Sequence, residues 1–180
     1  MFLILLIAAG TILETLFIMQ SYRRRNVASL LLKTTASLLF VLLGLYCMRL
    51  RGQSTYALYV VIGLALGMLG DFLLALRYLN PKTHDLCFIS GTLAFFAGHV
   101  LYILAVLTAA PRAWTYAIPL TLVALGVAGF YSHAMQVRAG KIMPLGVVYI
   151  GCVIFVAATS LTGALLTSDR ALFMFFLGGL

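Results

Sequence analysis

Asp71 lies in the stretch LGDFLLALRYLN, behind fifteen uncharged residues (Tyr56 to Gly70) and five apolar residues ahead of Arg77. Glu14, Lys33 and His99 are likewise enclosed by apolar sequence. Carboxyl, amine and imidazole groups in such surroundings are suited to holding, donating and passing protons. A carboxylic acid shielded from water can protonate a substrate. Its ionised form can orient a water or stabilise a nearby positive charge. Each group also has a plainer use. Asp71 can be a hydrogen-bonded structural residue and His99 a satisfied core histidine. Lys33 can extend its stem toward the membrane surface. Glu14 is read here as the partner of Lys33.

The elements that hold these groups follow from composition. The chain has 180 residues, 64% of them apolar and 9% charged, with a mean hydropathy of +1.14. Soluble domains carry about a quarter charged residues, so a soluble fold is excluded. A transmembrane helix needs about 20 apolar residues. Such runs fall near residues 2–20, 27–47, 56–76, 86–108, 115–131 and 142–166. The expected fold is all-α: a single polytopic transmembrane bundle over 1–180, with six full spans and a partial seventh. The seventh segment, ALFMFFLGGL, is too short to cross, and the expectation is that the chain continues beyond it.

The first apolar run lacks a basic segment ahead of it, which predicts a retained anchor rather than a cleaved leader. Cys47, Cys87 and Cys152 show neither metal-ligand nor CxxC spacing and read as packing residues. The net charge of +8 reads as membrane topology and attraction to anionic lipid, not as nucleic-acid binding. The first, third and fifth loops hold Arg23, Arg24, Arg25, Arg77, Lys82, Arg138 and Lys141. The others hold Arg49, Arg51, Arg112 and Arg170. The excess places the odd loops in the cytoplasm and the N-terminus outside. In a bacterial cell the expected location is the inner, plasma membrane.

Counted from the odd-loop face, Glu14, Lys33 and Asp71 all lie roughly 8–9 Å deep at 1.5 Å rise per residue. Tyr149 enters from the same face, and His99 sits near the midplane. This shared depth predicts that the first four line one cavity with His99 at its floor. Phe88, Gly91, Phe95, His99 and Tyr102 form one helical stripe. Gly63, Gly67 and Gly70 form a small-residue stripe ending at Asp71, the kind that lets membrane helices approach closely. Tyr102 and Tyr149 also suit plain packing.

The runs GDFLLAL and FISGTLAFFAGHVLY resemble the signature of the YhhN family. Its pattern is Gly-Asp followed, after a short loop, by Phe-x-x-Gly-x-x-x-Phe-x-x-x-His-x-x-Tyr. The matching residues are Gly70, Asp71, Phe88, Gly91, Phe95, His99 and Tyr102. LLKTTASLLF is similar to the family's Lys-Pro start of a second span, with Thr34 in place of proline, and MPLGVVYIGCV carries the matching Tyr149. The resemblance runs along essentially the whole chain and implies about eight spans at full length. The family's Gly-rich segment leads into Ser-Asp. Ser168-Asp169 precedes that segment here and does not match, so the second family carboxylate is not among these residues.

The resemblance implies hydrolysis of the vinyl ether bond of a lysoplasmalogen, giving a fatty aldehyde and a glycerophospho-base. It casts Asp71 as acid or water-positioning base, His99 as proton relay or water ligand, and Tyr102 as its support. Lys33, with Tyr149, falls to substrate binding, where Lys33 meets the lysophospholipid phosphate. No cofactor or metal is expected, since no phosphate loop or metal-ligand cluster is present. No serine nucleophile elbow is present either, which disfavours ester hydrolysis by a triad. Two other classes stay open from the residues: a proton-coupled transporter using the same ionisable groups, and a non-catalytic membrane scaffold.

Overall fold

The computed structural model of the chain describes residues 2–23, 26–79, 81–134 and 143–178. They form seven helices: α1 (Phe2–Arg23), α2 (Val27–Arg51), α3 (Thr55–Leu76), α4 (His84–Ala109), α5 (Ala113–Ala134), α6 (Met143–Thr167) and α7 (Arg170–Gly178). The first six are long and apolar enough to cross a membrane. At nine residues, α7 spans only about 13 Å, under half a hydrocarbon core. No strand occurs among the described residues.

The outward faces identify the solvent. Ile4, Phe130 and Leu165 are 70%, 73% and 72% exposed. Burying one such side chain is worth about 1.5–3 kcal/mol relative to water. Rows of them along every span are stable only in hydrocarbon, where the helices satisfy their own backbone groups. The protein is an integral membrane protein.

Local chemistry sets the helix ends. The Asn26 side chain accepts from the Ser29 amide at 3.1 Å and opens α2. Ser54 does the same for Ala57 and α3, also at 3.1 Å. Between them Gly52 takes φ +87°, a left-handed conformation that ends α2 at little steric cost. A 3-10 turn, Pro81–Thr83, leads into α4. Ser168 adopts φ 55° to end α6, and the Asp169 carboxylate accepts from the Ala171 amide at 2.7 Å to start α7.

The chain forms two compact units, Met1–Gly98 and His99–Leu180, with α4 contributing to each. In the first unit α2 packs against both α1 and α3. Glycines set the approach of α3 to α4. A Cβ on Gly98 would lie 3.0 Å from the Gly63 carbonyl oxygen, and one on Gly91 3.2 Å from that of Gly70. The glycine stripe of α3 thus meets the first half of the α4 stripe.

In the second unit α6 packs against α5 and α7. Its core holds Val106, Thr159, Ser160 and Leu172, each under 2% exposed. Thr162 donates to the Ala113 carbonyl at 3.1 Å, joining α6 to the start of α5. Leu172 approaches Gly163 and so seats α7 on α6.

Candidate functional site

The first unit holds an ion pair at membrane depth. Lys33 Nζ lies 3.0 Å from Asp71 Oδ1, with the two side chains 28% and 19% exposed. Ser37 Oγ donates to the other carboxylate oxygen, Oδ2. Lys33 and Ser37 are four residues apart on α2 and therefore share a face. Asp71 is aimed at that face by its neighbour. A Cβ at Gly70 would sit 2.6 Å from two Phe95 ring carbons, so Gly70 marks the side of α3 turned to α4. One residue on, about 100° round the helix, Asp71 meets α2. A carboxylate bound by an ammonium and a hydroxyl is well satisfied despite its depth.

Glu14 is not the partner of Lys33. The ammonium that was expected to meet it instead contacts Asp71 and lies 5.1 Å from the centroid of the Phe17 ring. Phe17, one turn beyond Glu14 on α1, supplies a ring face that attracts the cation without competing for its hydrogen bonds.

A cleft of about 210 Å³ opens beside this pair. Phe17 and Ser21 of α1, Asn26 at the cap of α2, Lys33 almost two turns into it, and Arg77 and Tyr78 just past α3 line it. Lys33 is the one member of the expected cavity set among its walls; Glu14 and Asp71 are not. Arg77 stacks by the rings of Tyr78 and Phe88, 4.5 and 5.0 Å from their centroids, and donates to the Tyr78 hydroxyl.

The second unit holds an aromatic cluster. The His99 ring meets Tyr102 and Tyr149 edge-on, with centroids 5.8 and 5.4 Å away. Tyr102 in turn meets Phe175 of α7 at 5.5 Å. Edge-to-face contacts of this kind fix ring orientation.

The structure therefore joins Lys33 to Asp71 in one unit and His99 to Tyr102 and Tyr149 in the other. Sequence reading missed Ser37, although its spacing from Lys33 was a usable signal. It assigned Arg77 only to topology, and it gave no role to Phe17 or Phe175. Among the loop cations, Arg24, Arg25, Arg138 and Lys141 lie outside the described residues. Among the described residues no three His, Cys, Asp or Glu side chains gather as metal ligands.

Apolar spanning helices with a lysine–aspartate pair held between two of them define an all-α polytopic membrane protein with ionisable groups at membrane depth. A YhhN family model matches residues 28–180, and the chain belongs to the YhhN family. No curated protein and no solved structure matches it.

Proposed function

We propose that this YhhN-family protein hydrolyses the vinyl ether bond of lysoplasmalogens within the membrane. The observation that carries the reading is Asp71, on the family's Gly-Asp motif, held 3.0 Å from Lys33 and bound by Ser37 inside apolar spans. The pair holds one mobile proton. In the reaction Lys33 Nζ passes its proton to Asp71 Oδ1, giving a neutral amine and a neutral carboxylic acid.

That acid protonates the vinyl carbon beyond the ether oxygen. The carboxylate left behind faces the oxocarbenium ion and stabilises it. Water adds to the cation and gives up a proton, which returns to the Lys33–Asp71 pair. The hemiacetal then breaks its bond to the glycerol oxygen, which takes the hydroxyl proton. Fatty aldehyde and glycerophospho-base leave, and the pair is restored. His99, which the family resemblance marks as proton relay or water ligand, has its ring held edge-on by Tyr102 and Tyr149.

The test is aldehyde release from a lysoplasmalogen by the purified protein in detergent, without added metal or nucleotide. Asp71→Asn keeps shape and removes the acid, and turnover should fall about 10²–10⁴-fold. His99→Gln should give an intermediate loss. Phe72→Leu, at an exposed neighbouring position, should retain activity. Wild-type rates from folded Asp71→Asn would exclude Asp71 as the acid.

A second reading, a proton-coupled transporter, draws on the same pair, because paired ionisable groups in spans also mark proton pathways. It predicts proton-driven uptake by reconstituted vesicles and no aldehyde from the lipid.

A further inference from the structure

The Lys33–Asp71 pair leaves one charge in the cleft unexplained. The Lys33 charge is offset by Asp71, and among the described residues no carboxylate lines the cleft. The other described cation in its walls is Arg77. Its guanidinium is positioned by the rings of Tyr78 and Phe88 and by the Tyr78 hydroxyl, none of which is an anion. Its Nε is buried and meets no acceptor among the described residues. A buried guanidinium N–H normally meets an acceptor, and the arginine donor fork matches a phosphate oxyanion.

The cleft has the place and lining for that anion. It lies at the ends of α1 and α3 and the start of α2, where headgroups meet the bilayer. Ser21, Asn26 and Tyr78 add polar groups beside the two cations, while Phe17 supplies an apolar wall. We propose that this cleft binds the phosphate of a single-chain phospholipid, with Arg77 as the residue that selects it.

The position of Arg77 also sets a reach, and this part rests on the vinyl ether reading. Arg77 is six residues beyond Asp71, so their backbones are about 9 Å apart along the helix axis. In a lysoplasmalogen, seven bonds separate the phosphorus from the carbon that takes the proton. Extended, those bonds also span roughly 9 Å at ordinary bond lengths. The extended reach from the phosphorus to that carbon thus matches the axial step from Arg77 to Asp71.

Binding can be tested without turnover. The full chain in neutral-detergent micelles is given an alkyl-ether lysophosphocholine, which has no vinyl bond, and separately the uncharged alkylglycerol of the same chain length. The wild type should bind the phosphate lipid about tenfold or more tightly, the scale of a charged phosphate contact. R77Q should abolish the preference. R77K, which keeps the charge for topology and folding but lacks the fork, should shrink it several-fold.

Equal wild-type affinities for the two lipids overturn the proposal, as does an unchanged preference in folded R77Q or R77K. Displacement of the lipid by inorganic phosphate at equal concentration assigns the cleft to free phosphate and overturns the lipid assignment. Because the probe is not hydrolysed, failure of the cleft and failure of the hydrolase reading are scored separately.

Discussion

The Lys33 ammonium and the Asp71 carboxylate meet at 3.0 Å where α2 packs on α3, inside the apolar length of both helices. Each makes the other tolerable at that depth. Removing one partner leaves a charge short of its counter-ion, whereas removing both does not.

The first consequence is a non-additive mutant cycle. Lys33→Met and Asp71→Asn should each lower stability by about 1–3 kcal/mol, the usual effect of leaving a buried polar or charged group unsatisfied. The double variant should lose less than the sum. Thermal unfolding in detergent measures all three. Additive losses would show that the two groups are not coupled.

Ser37 separates binding of the carboxylate from its ionisation. Ser37→Ala removes one hydrogen bond to Asp71 Oδ2 and leaves the Lys33 contact in place. Aldehyde release should fall about fivefold, about 1 kcal/mol of barrier, and stability by about 1 kcal/mol, the contribution of one hydrogen bond. Ser37→Thr keeps the hydroxyl and should restore most of the rate. Activity in Ser37→Ala equal to wild type would remove Ser37 from the site.

Gly70 is a packing position that aims Asp71. The added methyl of Gly70→Ala would meet the Phe95 ring at 2.6 Å. Overpacking of this kind costs about 1–3 kcal/mol. Phe95→Leu, which shortens the obstructing side chain, should recover part of that loss when combined with Gly70→Ala. Melting temperatures of the two single variants and the double decide it: no recovery means that α3 and α4 do not meet through this contact.

In the second unit, Leu172 is 1% exposed and anchors α7. Leu172→Ala should destabilise the seating of α7 by about 2–5 kcal/mol. Limited proteolysis at the Ser168–Asp169 turn reads this directly, and cleavage should become faster. Cleavage at the wild-type rate would mean that α7 is held by other contacts.

Much of this protein is legible residue by residue. Six spans follow from apolar run length, because the bilayer imposes one length on every crossing helix. Asn26 and Ser54 announce helix starts, since a side-chain oxygen must satisfy free amides there. The depth of Asp71 in its span follows from counting along an axis of fixed rise. The glycine stripe of α3 likewise marks a close helix contact, because only residues without bulk permit one.

Partner choice is not readable in this way. Glu14 and Asp71 lie at similar counted depth, and both are carboxylates of the right sign for Lys33. The ammonium meets Asp71 because Gly70 and Phe95 fix the rotation of α3, while Phe17 covers the cation from α1. Arg77 reads as an ordinary loop cation until Tyr78 and Phe88 are seen to hold it at a cleft. Sequence sets the depth of a side chain because the rise per residue is constant. Its azimuth about the helix, and so its partner, depends on which neighbours pack around that helix, and only the tertiary structure decides that.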